Sequence, residues 1–138
     1  MLLTRASEYA LLTLDVLRNS EIPLGAEQLA NELSIPKSFL AKILQSLAKK
    51  GILESRKGAH GGFILAKSVE EISINEVIFA AEGKKPVVFD CTSYLESCPN
   101  GTIGSCAISP FLANFQTKID SFLTDLMLSD ILENTSSF

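Results

Sequence analysis

The sequence holds one histidine, three cysteines and no apolar run that approaches the length of a membrane span. A single histidine, His60, cannot be joined to a Ser/His/Asp or Cys/His grouping, so an enzyme is the least supported class. There is no close Cys-x-x-Cys pair, the usual mark of a structural zinc site. Near the N-terminus Glu8 and Asp15 interrupt the apolar residues and no small-residue cleavage site follows, so no signal peptide is expected. The expectation is a cytoplasmic protein with no membrane partner. A charged fraction of 20% against 46% apolar residues excludes a disordered chain.

The 138 residues suffice for one domain with a real core, or for a small domain plus an oligomerisation arm. The net charge of -4 is unevenly spread. Residues 1–68 sum to +3 and residues 69–138 to -7. Between residues 33 and 68 lie Lys37, Lys42, Lys49, Lys50, Arg56, Lys57 and Lys67, against the single acidic Glu54. Such a patch can bind phosphate on an acidic chain; a solvated face is the plainer alternative, and the coincidence of the run with a helix-turn-helix and wing pattern makes DNA the better reading.

Periodicity predicts the elements. Thr4 is placed to cap a helix from about Arg5 to Arg18, with Ala6, Tyr9, Ala10, Thr13, Leu14 and Leu17 forming its apolar stripe. Pro23 and Gly25 break the chain, Ala26 to Leu33 reads as a second helix, and Ser34-Ile35-Pro36 leads into a third that runs to about Lys50. That helix is expected to bury Phe39, Leu40, Ile43, Leu44 and Leu47 and to turn Lys37, Ser38, Lys42, Gln45 and Lys49 outward. Two short strands, Ile52 to Ser55 and Phe63 to Leu65, flank a tip of basic residues and glycines from Arg56 to Gly62. Ser73 and Glu76 make a capping box for a helix from Ile74 to Glu82, which Gly83 stops. Ser109 caps a final helix to about Leu128, with Ile108, Leu112, Phe115, Ile119, Phe122 and Leu126 as a coiled-coil seam. Leu128 to Leu132 is expected to add one more turn.

All three cysteines, Cys91, Cys98 and Cys106, fall within a turn-rich stretch between the last two helices. In a reducing compartment disulfides are rare, and three thiols cannot all pair. Thiolates are soft ligands suited to iron-sulfur clusters or zinc. Packing as small apolar residues is the plainer reading of the cysteines, and stabilisation of its own helix end is the plainer reading of Glu8.

The Leu-Thr-Arg start of the first helix, the Ile35 to Leu53 segment, the Lys57-Gly58-Ala59-His60-Gly61-Gly62-Phe63 tip, the Ile72 to Gly83 helix, the three-cysteine stretch and the long final helix occur in the order seen in the Rrf family of winged helix regulators. The sequence resembles that family over nearly its whole length.

The resemblance implies a mainly α fold: a winged helix-turn-helix DNA-binding domain with a two-stranded wing and a long C-terminal dimerisation helix. The expected divisions are 1–83 for the DNA-binding domain, 84–107 for the cysteine segment and 108–138 for the dimerisation helix and tail. It implies a homodimeric transcriptional regulator, expected to be a repressor, that senses nitric oxide, redox state or iron. Cys91, Cys98 and Cys106 become ligands of an iron-sulfur cluster, 2Fe-2S or 4Fe-4S. Glu8 stands where the family's nitric oxide sensors place a carboxylate ligand on the first helix of the partner subunit. Ser109 occupies the position of the histidine used by the family's iron-sulfur regulators, which disfavours that subtype. The cysteine intervals are wider than usual, and Ala41 replaces an acidic residue on the recognition helix.

Lys37, Ser38 and Lys42 are then the expected major-groove residues, with Arg56, Lys57, Gly58, His60 and Gly61 on the wing. The operator expected is a pseudo-palindrome in double-stranded DNA with half-sites roughly 34 Å apart. Two other functions stay open: a winged helix regulator that switches by thiol/disulfide chemistry without a cluster, and a metal-carrying interaction protein acting through its acidic half.

Overall fold

The computed structural model describes residues 3–88 and 106–133. Cys91 and Cys98 lie outside them. The elements in order are α1 (Arg5–Arg18), α2 (Ala26–Leu33), α3 (Lys37–Lys49), β1 (Leu53–Arg56), β2 (Gly62–Leu65), a 3-10 turn (Val69–Glu71), α4 (Ile74–Glu82), α5 (Ser109–Asp125) and α6 (Leu128–Leu132).

Local chemistry sets the boundaries. Thr4 caps α1 by accepting from the Ala6 N–H at 3.2 Å. At the start of α4 the Ser73 hydroxyl accepts from the Glu76 N–H at 3.1 Å, while Glu76 accepts from the Ser73 N–H at 2.9 Å. Burial works to raise the Glu76 carboxyl, but the Ser73 backbone bond and the Lys67 ammonium outweigh it and hold it below its ordinary range. Between α2 and α3 the chain reverses through Ser34, a non-glycine residue in the left-handed region at φ 56°.

One core joins these elements. Leu14 of α1, Leu29 of α2, Leu40, Leu44 and Leu47 of α3, Ile52, Ile72, Val77 and Ile78 are all fully buried. Each buried leucine or isoleucine is worth about 1.5–3 kcal/mol of transfer free energy, so the helix faces are held by this core more than by propensity.

β1 and β2 pair antiparallel, with Leu53 opposite Leu65 and Arg56 opposite Gly62. Arg56, expected at the tip, is therefore the last residue of β1. Leu24 adds a bridge to the outer side of β2, exchanging hydrogen bonds with Phe63 at 2.8 and 3.2 Å. Gly62 permits this: a Cβ there would run into the backbone of Leu24, and its φ of 147° excludes most side chains.

Three expectations are corrected. Phe39 is not buried; it stands 39% exposed and meets Tyr9 edge-on, with ring centroids 5.5 Å apart. Ser109 does not cap α5, because the N-cap is Ile108 and makes no side-chain capping bond. The last helix also does not run on to Leu128. Leu126 turns extended, the Ile74 N–H donates to the Leu126 carbonyl at 2.8 Å, and the Leu128 N–H donates to the Ile72 carbonyl at 2.7 Å. These bonds draw the chain onto the start of α4, where Leu128 is fully buried and α6 begins.

The expected seam is divided between two faces. Leu112 is buried, and Ile119 and Leu126 pack on the core together with the buried Leu123. Ile108, Phe111, Phe115 and Phe122 are 58%, 64%, 36% and 60% exposed. The physical reason is angular: residues four apart differ by about 40° around a helix, enough to turn one column inward and leave the other outside.

Candidate nucleic-acid interface and cysteine site

The exposed face of α3 carries Lys37 and Ser38 in its first turn and Lys42 and Lys49 farther along. Beyond β1 the wing presents Lys57, Gly58 and His60, all exposed, with Gly61 half-buried. Gly61 has a structural task here, since a Cβ would collide with the Arg56 carbonyl. Among the described residues Lys42, Lys49 and Lys57 have no acidic partner. Arg56 is 3.3 Å from Glu54, and Lys37 is 3.5 Å from Glu27. Both pairs are exposed and worth under about 1 kcal/mol, so neither blocks a phosphate.

Two basic residues in the 33–68 run serve the fold. Lys50 lies 3.9 Å from the centroid of the Phe79 ring. Lys67 pairs with Glu76 at 2.9 Å. Within the 33–68 run the free positive charge is therefore that of α3 and the wing, narrower than the sequence count suggests.

Glu8 projects from the first turn of α1 and is exposed. Its carboxylate takes two bonds from the Arg5 guanidinium, at 2.8 and 3.0 Å. It edges an open hollow of about 830 Å³ lined by Leu3, Thr4, Arg5, Ala6, Leu11 and Phe39. Within the described residues Cys106 is a free, half-buried thiol just ahead of α5. Its carbonyl accepts from the Ser109 N–H at 3.3 Å. No group of three potential metal ligands forms among the described residues.

Sequence reasoning missed two polar residues that position this region. Glu82, the last residue of α4, accepts hydrogen bonds from the Thr4 hydroxyl and, at 2.7 Å, from the Ser7 hydroxyl. Ser7 is fully buried, and a serine inside an apolar stripe was the available signal. Gln116 of α5 bonds the backbone at Pro86 and Val88. No local pattern marks it.

A tight helix-turn-helix followed by a two-stranded wing defines a winged helix DNA-binding protein. Among the described residues no helix is long and apolar enough to cross a membrane. The chain belongs to the Rrf2 family, described as iron-dependent transcriptional regulators, whose profile matches residues 3–134. It is a DNA-binding transcriptional regulator of that family.

It is 32% identical to the HTH-type transcriptional regulator NsrR of Bacillus licheniformis, covering 97% of this chain and 94% of that protein. It is 29% identical to the regulator IscR of Photorhabdus laumondii, over 97% of this chain and 80% of that one. In three dimensions it resembles CymR, the global cysteine regulator of B. subtilis, at TM-score 0.69 and 17% identity, covering 97% and 98% of the two chains. IscR of T. potens matches at TM-score 0.68 and 20% identity, covering 98% and 88%. These relatives are transcriptional regulators, not enzymes.

Proposed function

We propose that this regulator acts as a homodimer whose cysteine segment holds an iron-sulfur cluster, and that loss or modification of the cluster changes its grip on DNA. The observation that carries the reading is placement. The three cysteines are confined between α4 of the DNA-binding module and α5, on which Ile108, Phe111, Phe115 and Phe122 are exposed. The NsrR and IscR relatives and the iron-dependent family description support the cofactor.

The donor set fits the group. Cys91, Cys98 and Cys106 would supply three soft thiolates, and Glu8 of the partner subunit a harder, more readily displaced oxygen. When bound, the cluster supplies an iron centre reactive toward nitric oxide or oxidants. Glu8 can be redirected at little cost, since its present contact is an exposed ion pair. Each thiol must give up a proton to bind, so retention weakens as pH falls. Lys37, Ser38 and Lys42 would address base edges and phosphates. Arg56, Lys57, Gly58, His60 and Gly61 would follow the backbone or the minor groove. With the cysteine segment tying α4 to α5, ligation sets the separation of the two reading heads and shifts the population toward the binding geometry.

The test is anaerobic purification with absorption spectra and iron analysis, then nitric oxide titration of wild type and Glu8→Ala. Absence of iron and sulfide defeats the cluster. An unchanged spectrum and response in the variant removes Glu8 from the ligand set. The half-buried Cys106 thiol and the likeness to S. aureus CymR in its oxidised form, at TM-score 0.71, favour thiol switching as the second reading. That reading predicts full regulation without iron and a mass change on oxidation.

A further inference from the structure

Burial of Leu40, Ile43, Leu44 and Leu47 fixes which side of α3 faces outward. At about 100° per residue, Ser38, Lys42, Gln45 and Lys49 fall within an arc of roughly 60° centred opposite that buried stripe. They form one ridge. All four are exposed, and α3 holds no acidic residue that would oppose a phosphate chain. Seven residues from Ser38 to Gln45 rise about 10.5 Å, close to three base-pair steps of about 3.4 Å. The two side chains therefore face different base pairs of one half-site.

The members of the ridge differ in what they can distinguish. Lys42 and Lys49 end in ammonium groups, which donate and never accept. The Ser38 hydroxyl rotates and does either, so it selects weakly. Gln45 carries the one side-chain amide of α3, a planar group with the acceptor Oε1 beside the donor Nε2. Adenine presents the complement in the major groove, the N6 amino donor next to the N7 acceptor. Among the described residues the Gln45 side chain makes no hydrogen bond, whereas the Gln116 amide is committed to Pro86 and Val88. Ala41, one turn before Gln45, ends at Cβ and brings no competing polar atom.

We infer that Gln45 is a specificity-determining residue that reads one adenine in each half-site, with Oε1 accepting from the adenine N6 amino group and Nε2 donating to N7. The inference rests on the proposal that α3 enters the major groove. It divides the labour along the ridge: Lys42 and Lys49 hold the helix to the phosphates and carry no sequence information, while the amide between them selects the base. An amide that meets any other base edge leaves a donor or an acceptor without its partner, which is the source of the discrimination.

The experiment selects duplexes from a random-sequence DNA library with the full chain, anaerobically purified and again after chelator treatment, and takes whichever form binds more tightly. Wild type, Gln45→Ala, Gln45→Glu and Lys42→Ala are compared, followed by titration of duplexes changed one base pair at a time. Wild type should select one adenine in each half-site and prefer it about tenfold over the other bases. Gln45→Ala should keep helical content and affinity for random DNA while that position becomes indifferent. Gln45→Glu, which can only accept, should bind more weakly and turn the preference at that position to cytosine, whose N4 amino group donates. A position that keeps its adenine preference within roughly twofold of wild type in Gln45→Ala overturns the inference, as does a wild-type consensus with no adenine or no consensus at all. Lys42→Ala separates the two readings. If it weakens all duplexes alike while Gln45→Ala keeps the consensus, α3 is in the groove and only the role of Gln45 falls. If it changes neither affinity nor salt slope, the placement of α3 fails, and the inference with it.

Discussion

Glu82 at the end of α4 accepts a hydrogen bond from the buried Ser7 hydroxyl of α1 at 2.7 Å. Thr4, the cap of α1, donates to the same oxygen. The Glu82 carboxylate is thus held by Thr4 and Ser7 at the N-terminal end of α1, where the helix dipole favours an anion.

That contact makes stability depend on acid. Burial works to raise the Glu82 carboxyl, but the bonds from Thr4 and Ser7 outweigh it and hold the group below its ordinary value of 4.5. A carboxyl depressed in the folded state stabilises above its unfolded value and loses that contribution as pH falls through the folded one. Glu82→Gln should therefore cost about 1 kcal/mol at pH 7 and progressively less below about pH 4.5. Urea unfolding at pH 7 and pH 3.5 checks this; an equal loss at both would show that the charge is immaterial.

The wing depends on a glycine that is short of space. Gly62→Ala would drive a methyl group into the Leu24 backbone and strain φ. The expected outcome is loss of the Leu24 to Phe63 bridge, destabilisation of about 1–3 kcal/mol, and weaker DNA binding with helical content unchanged. Circular dichroism with a DNA titration measures both parts.

Free positive charge on α3 and the wing should appear in the salt dependence of DNA binding. Removing Lys42 or Lys57 by alanine substitution should weaken all sequences about equally and lower the log–log salt slope by about 1 for each phosphate no longer neutralised. Lys50→Ala, whose side chain lies over Phe79, should leave the slope unchanged. A slope that drops for Lys50 and not for Lys42 would move the interface elsewhere.

In the proposed dimer the outer face of α5 should be covered. Phe111 and Phe115 stack at 6.0 Å between ring centroids, and Phe122 lies two turns beyond Phe115. Phe111→Asp with Phe122→Asp should turn a dimer into a folded monomer in sedimentation, while Leu112→Ala should cost about 2–5 kcal/mol of folding stability instead. Wild-type chain that sediments as a monomer at micromolar concentration would refute the assembly.

The bounds of α1 and α4 were legible because these two helices carry their own end signals. Thr4, the Ser73 and Glu76 box and Gly83 mark ends through bonds to backbone groups a few residues away, so no distant partner is needed to read them. The basic face of α3 was equally plain from the spacing of Lys37, Lys42 and Lys49.

Partnership across the chain was not legible. That Lys50 and Lys67 serve Phe79 and Glu76, and that Glu82 holds Thr4 and Ser7, depends on residues brought together from distant positions. The α5 seam shows the same divide. The sequence by itself determined that Ile108, Leu112, Phe115, Ile119, Phe122 and Leu126 form apolar columns, because periodicity is a local property. Only the tertiary structure decided which column the subunit keeps for itself. The backbone bonds from Leu126 and Leu128 to the start of α4 set the rotation of α5, leaving Phe111, Phe115 and Phe122 on the outside.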